Sequence, residues 1–204
     1  MTVLTVGLLA AVIGIGIGYS LGINRVGVPG FGNHMMSNGA TMRDGFMGGA
    51  VDQHFIIQMI PHHEGAIEMA KVALERSKRP EIITLANGII EAQTREINDM
   101  RSWYQSWFGS APPQGGVGMQ GGGMMHMGGM TGDTSELGSV SDAEFDRAFI
   151  DQMIPHHEMA VMMASMLGAT TNRAEMKTLA DNIITSQSRE IEMMRDWRNA
   201  WYLR

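Results

Sequence analysis

Apolar residues recur at steps of three and four positions along two blocks of this chain, beginning at Phe55 and at Phe149. This spacing is typical of helices that bury one face. In each block this series of apolar positions is interrupted once and then resumes, which indicates two helices per block. In the first block Pro80 stands where the second helix should begin, a position that favours proline. The pattern predicts two helical hairpins and therefore an all-α, four-helix bundle.

The two blocks are copies of each other. Residues 55–108, shifted by 94 positions, align without a gap on residues 149–202, and 27 of the 54 aligned positions are identical. The sequence MIPHHE occurs in both copies, at residues 59–64 and at residues 153–158. Repetition of this kind indicates one structural unit that is used twice.

Segments rich in glycine and methionine separate the predicted units. Residues 25–50 lack a helical period and predict a tether, and residues 109–140 predict a crossover between hairpins 51–108 and 141–204. A chain of 204 residues supports one good core with appendages. We therefore expect residues 51–204 to form a single bundle.

Residues 1–24 predict a transmembrane helix. No charge occurs between residues 2 and 23, and a helix of that length spans roughly 33 Å, about one hydrocarbon core. The long run without a small-residue cleavage pattern favours an uncleaved anchor, with a cleaved signal segment and a secreted protein as the alternative. Gly14, Gly18 and Gly22 recur every four residues and allow two such helices to pack as a homo-oligomer.

Composition narrows the chemistry. The formal charge is −6 and no dense basic run occurs, so nucleic acid is not an expected partner. The chain contains 21 methionines and no cysteine. Any chemistry with a soft metal must therefore use thioether sulfur and imidazole nitrogen.

Polar side chains interrupt the predicted buried stripe at the same places in both copies. In the first copy the stripe carries Met59 and His62 on one helix and Gln93 and Glu96 on the other, and His63 falls on the adjacent row. The two copies together are therefore predicted to bring four imidazoles to the middle of the bundle. A buried polar group without a partner costs about 1–3 kcal/mol, so these groups need partners. The candidate metal ligands are His62, His63, His156, His157, Met59, Met153, Met69, Met163, Met100 and Met194.

A proline precedes each histidine pair inside an apolar helical run. Proline in a helix interior costs roughly 3 kcal/mol and kinks the helix, so its presence in both copies suggests that a bend places the histidines. A helix that starts at the proline is the alternative. In the second copy Ser141 and Glu144 predict a capping box well upstream of Pro155, which argues against that alternative.

Two interpretations of the polar stripe are open. One is a structural network with hydrogen bonds from His62 to Glu96 and from His156 to Glu190. The other is a metal site, which four histidines with methionine neighbours favour. Imidazole and thioether donors suit Cu(I) and, through the imidazoles, Cu(II), whereas zinc more often takes cysteine or carboxylate. The residues expected to orient the imidazoles rather than bind the metal are Gln93, Glu96, Gln187 and Glu190.

Two further clusters of histidine and methionine lie in the segments that flank the hairpins. Such segments offer auxiliary sites that capture copper and pass it inward, and ordinary low-complexity linker is the alternative. These auxiliary residues are His34, Met35 and Met36 in the tether, and Met124, Met125, His126 and Met127 in the crossover.

On these residues the chain resembles the CopM-like copper-binding proteins, a domain family long labelled as of unknown function. The family signature is Met-x-x-His-His-x-x-Ala-x-x-Met-Ala on one helix, followed by Gln-x-x-Glu-Ile-x-x-Met on the next. It is present here at residues 59–70 and 93–100, with a second set between residues 153 and 194. The resemblance covers residues 50–204 and implies a ferritin-like four-helix fold and extracytoplasmic copper binding linked to metal resistance.

We therefore expect a membrane-anchored protein on the periplasmic or extracellular face that sequesters copper or transfers it to a partner protein, without catalysing a reaction. A di-iron or copper oxidase on the same bundle is an alternative, although such sites commonly use Glu-x-x-His on facing helices and neither inward stripe has that spacing. A structural membrane-anchored bundle is a second alternative.

Overall fold

The computed structural model describes residues 39–113 and 134–202. These residues form five helices and no strand, which confirms the predicted all-helical class. The helices are α1 (Gly39–Arg76), α2 (Pro80–Phe108), α3 (Thr134–Ser139), α4 (Asp142–Thr170) and α5 (Ala174–Tyr202).

Several predicted segments lie outside the described residues. They are the membrane helix at residues 1–24 and the auxiliary clusters at residues 34–36 and 124–127. Within the described ranges, no helix has both the length and the hydropathy of a membrane span.

The four long helices share one core in two layers. Helix α1 packs against α2, α4 packs against α5, and α1 and α4 pack against each other. The buried residues form two clusters. The one that we call the first core cluster joins the N-terminal half of α1 to the C-terminal half of α4. The second core cluster joins the C-terminal half of α1 to the N-terminal half of α4. Helices α1 and α4 are therefore antiparallel, and an approximate two-fold axis relates the two hairpins.

The predicted apolar stripe is the buried face of the bundle. Phe55, Ala66 and Ala73 on α1 are at most 5% exposed, and Phe149 and Leu167 on α4 are at most 1% exposed. The tryptophans of α2 and α5 are partly buried at the bundle ends and stack in pairs. These pairs are Trp103 with Trp107, and Trp197 with Trp201.

Local signals in the sequence mark the helix ends correctly, with one exception. Pro80 is the first residue of α2, and both α1 and α4 continue through their prolines, Pro61 and Pro155, as predicted. Ser141 is the N-cap of α4, but its side chain makes no capping hydrogen bond, so the predicted capping box is wrong in that detail. Instead, Arg76 at the end of α1 donates a hydrogen bond of 2.7 Å to the carboxylate of Asp142, the first residue of α4.

Two helical segments occur where the sequence predicted none. Helix α1 begins at Gly39, so residues 39–50 of the predicted tether are helical, because a helix extends cheaply once its first turns exist. Helix α3 lies inside the predicted crossover, and its Leu137 is fully buried in the second core cluster. Arg76 fixes α3 by donating to the carbonyl oxygen of Leu137 at 2.6 Å.

Arginines at the two hairpin turns connect each repeat to the other. Arg173 lies 3.1 Å from Asp52, and its counterpart Arg79 lies 3.1 Å from Asp146. Each guanidinium also covers a tryptophan ring, since Arg173 lies 3.9 Å from the Trp107 ring and Arg79 makes the matching contact with Trp201 at 4.1 Å. We call these paired contacts the cross-repeat clasps. They fix how the two hairpins sit around the central histidines.

Candidate metal centre

The first histidine of each pair meets its copy where α1 packs against α4. The ring centroids of His62 and His156 are 3.7 Å apart, and the rings are inclined by 45°. The second histidines, His63 and His157, lie with their ring centroids 6.3 Å from those of their neighbours in the chain. All four side chains are at most 4% exposed. The predicted convergence of four imidazoles in the bundle interior is confirmed.

The facing pair has no hydrogen-bond partner in the protein. Neither ring nitrogen of His62 and neither ring nitrogen of His156 is satisfied. Burial, together with the other imidazoles, lowers the pKa of His62 from 6.5 to about 2 and that of His156 to about 3. Both rings are therefore neutral across the physiological range. Since a neutral imidazole has one nitrogen lone pair available for a cation, each ring can act as a ligand.

A carboxylate from the adjacent helix holds the second histidine of each pair. Nε2 of His63 donates to Oε2 of Glu96 at 2.7 Å, and His157 donates to Glu190 at the same distance. The predicted hydrogen bonds from His62 and His156 to these glutamates are therefore wrong by one position. The other ring nitrogen, Nδ1, is buried without a partner in both residues.

Two glutamines complete the polar layer. Gln93 and Gln187 are each 3% exposed, and the Oε1 atom of each is buried without a hydrogen-bond partner. Native interiors leave few such groups unsatisfied. Eight unsatisfied atoms of the four histidines and two glutamines therefore lie in one layer of the bundle, which is typical of a site that binds something polar or cationic.

Thioether sulfurs flank the histidine layer on both sides. The six predicted methionine ligands divide evenly between the two core clusters, and five of them are at most 1% exposed, whereas Met163 is only partly buried. The approximate two-fold axis relates the three methionines of one cluster to the three of the other, so each cluster contains methionines from both hairpins. The first core cluster contains Met59 and Met100 with Met163 packed against it, and the second contains Met69, Met153 and Met194.

Carboxylates do not build a centre of their own here. Within residues 39–113 and 134–202, no group of three or more histidine, aspartate or glutamate side chains is arranged to hold a metal ion. Histidine counts toward such groups, so the four imidazoles by themselves are not spaced as a three-ligand centre in this arrangement.

The bundle and its histidine layer define the class of this protein. A family model described as Domain of unknown function (DUF305) matches residues 52–198. The chain belongs to this family.

Solved structures of CopM are similar to this chain, as the sequence resemblance predicted. The chain is 46% identical to CopM in the Cu(I)-bound form, with 74% of this chain and 97% of that chain covered and a TM-score of 0.63. It is 48% identical to CopM in the Cu(II)-bound form, with the same coverage and a TM-score of 0.66.

A short segment is also similar to a viral protein. Over 51 residues the chain is 47% identical to Uncharacterized protein L153 of Acanthamoeba polyphaga mimivirus. The match covers 25% of this chain and 34% of that protein, so the chain spans about a third of the length of this relative.

Proposed function

We propose that this protein binds copper through the histidine layer and the methionines on either side of it. The observation that carries the proposal is the facing pair of neutral, buried imidazoles, His62 and His156, whose ring nitrogens all lack partners. The similarity to CopM, which has been solved with Cu(I) and with Cu(II), supports copper as the metal.

The donor chemistry supports both oxidation states. Thioether sulfur is a soft ligand that favours Cu(I), and imidazole nitrogen is accepted by both Cu(I) and Cu(II). The hydrogen bonds of His63 to Glu96 and of His157 to Glu190 have the form of the carboxylate–histidine contacts that orient metal ligands. We infer that these glutamates set the ring orientation and that Gln93 and Gln187 supply further polar contacts.

We further propose that the protein sequesters or transfers copper outside the cytoplasm and does not turn over a substrate. The resemblance to copper-binding proteins and the uncharged segment between residues 2 and 23 support an anchored protein on the periplasmic or extracellular face. The methionine-rich segments support transfer to or from a partner protein, since thioether sulfur is a soft donor that suits Cu(I).

Copper titration of the full-length protein tests the proposal. Under reducing and oxidising conditions, the wild type is expected to bind more copper than the variant with His62→Ala and His156→Ala, measured by competition with a chromophoric chelator. Glu68→Gln, an exposed change on α1, is the control. Equal stoichiometry in the double variant and the wild type would refute the assignment. Two irons per chain in the purified protein would favour the oxidase alternative.

A further inference from the structure

An open groove lies between the N-terminal part of α1 and the C-terminal part of α4. It encloses about 550 Å³ and is separate from the histidine layer. Its walls combine apolar side chains with one histidine and two methionines. The lining residues are Ala50, Val51, His54, Phe55, Gln58, Met163, Met166, Leu167 and Thr170.

One methionine side chain on the groove wall is exposed to solvent. Among the residues with described side chains, the exposed large hydrophobic side chains are Met162, at 54%, and Met166, at 66%. Both lie on the same helix, and Met166 lines the groove whereas Met162 does not. Exposure of a long apolar side chain is unfavourable in water. A soft cation in solution could reach the sulfur of a methionine that is exposed in this way.

The other half of the bundle lacks two of these three donors. The offset of 94 between the repeats places Ala148 at the position of His54 and Val72 at the position of Met166. The equivalent groove is also closed, because α3 packs on α1 and α4 there with Leu137 fully buried. His54 and Met166 therefore occur only on the open side, and a role in packing the repeat does not account for them, whereas Met163 corresponds to Met69 of the first repeat.

His54 has one side-chain partner at the groove. The amide nitrogen of Gln58 lies 3.1 Å from Nε2 of His54. The side chain is exposed at the groove wall, so a cation can compete with a single amide hydrogen bond.

We propose that His54, Met163 and Met166 form a second, solvent-open site for a soft monovalent cation, Cu(I) or Ag(I). Met163 also packs against the first core cluster, so the site connects solvent to the methionines beside the histidine layer. It serves as the place where the cation first binds before it moves inward. The choice of copper rests on the proposed function, whereas the donor set is independent of it.

Silver titration of the full-length protein followed by NMR tests this site, because Ag(I) has the same soft character without redox chemistry. With methyl-labelled methionine, the Met166 methyl and the His54 ring resonances are expected to shift together, while Met162 stays unchanged. His54→Ala and Met166→Leu should each weaken this response at least tenfold, and Met162→Leu is the matched control. Parallel shifts of Met162 and Met166, or a Met166 shift that survives His54→Ala, would overturn the proposal.

A variant with His62→Leu and His156→Leu separates this site from the proposed function. The site predicts that His54 and Met166 still respond to Ag(I) in that variant. Loss of their response would show that the groove is not an independent site. If the groove responds in the wild type while copper binding is insensitive to His62 and His156, the proposed function fails and the groove site stands.

Discussion

His62 and His156 come from different repeats, yet their rings face each other at a centroid distance of 3.7 Å without one hydrogen bond to the protein. Each unpaired buried nitrogen costs about 1–3 kcal/mol in the metal-free state. A cation bound by these nitrogens would offset this cost. His62 and His156 are therefore expected to lower the free energy of unfolding of the metal-free protein.

Replacing His62 and His156 together with leucine should raise the free energy of unfolding of the metal-free protein by at least the cost of one unsatisfied group, about 1–3 kcal/mol, because it removes four unsatisfied nitrogens and keeps apolar contacts. The same variant should lose copper binding at this layer. Urea denaturation and copper titration of one preparation measure both effects. His62→Asn with His156→Asn is the control, because it retains buried polar groups and should gain no stability. A leucine variant that is less stable and still binds copper contradicts the assignment.

The metal-free protein should lose stability as the pH falls below 6.5. The folded-state pKa values of His62 and His156 are lowered to about 2 and about 3, so between these values and 6.5 the unfolded chain binds protons that the folded chain does not. Each group therefore reduces the free energy of unfolding by up to about 1.4 kcal/mol per pH unit in this window. Denaturation curves at neutral and acidic pH measure the slope. The double leucine variant should have a shallower slope, and equal slopes would contradict the prediction.

Glu96→Gln should weaken copper affinity by about 10–100-fold, because the glutamine cannot supply the charge that raises the basicity of the His63 ring. Stability should change little, since the amide oxygen still accepts from His63. Glu190→Gln is expected to match it, because both contacts are 2.7 Å long and both glutamates are similarly buried. Competition with a chelator measures the affinity. Glu91→Gln, at an exposed position of the same helix, is the control. Equal affinities in Glu91→Gln and Glu96→Gln would contradict this role.

The two cross-repeat clasps should differ in strength. Arg173→Met leaves Asp52, whose side chain is 1% exposed, without its charge partner, and should cost about 3 kcal/mol of unfolding free energy. Arg79→Met leaves Asp146, whose side chain is 17% exposed and so less completely buried than that of Asp52, and should cost roughly 1 kcal/mol. Thermal and urea denaturation rank the variants. Adding Asp52→Asn to Arg173→Met should recover part of the loss. A larger loss from Arg79→Met would contradict the burial argument.

The sequence was sufficient for the features that follow from helical periodicity. The steps of three and four along α1 place Met59 and His62 on the buried face, and the repeat gives the same result for Met153 and His156. Local chemistry was equally informative at Pro80, which begins α2 as expected. Such features depend on neighbours within one or two turns, so a single chain contains the necessary information.

Features that depend on how helices face each other were less accessible. His62 and His63 lie on adjacent rows of α1, and only the packing of α1 against α2 and α4 decides which ring meets Glu96 and which meets His156. The burial of Leu137 depends on contacts made by a six-residue helix that has no detectable period. The groove at His54 likewise results from tertiary packing, because its other wall is distant in the sequence.

The cross-repeat clasps also make the two repeats depend on each other. Since Arg79 pairs with Asp146 and Arg173 with Asp52, each hairpin holds the acid that its sister requires and neither can satisfy its own arginine. That reciprocity is the signature of two identical chains meeting across a symmetry axis. The two repeats therefore meet as two identical subunits would across a two-fold axis. They differ at the rim, where the first repeat has His54 and the second has Ala148.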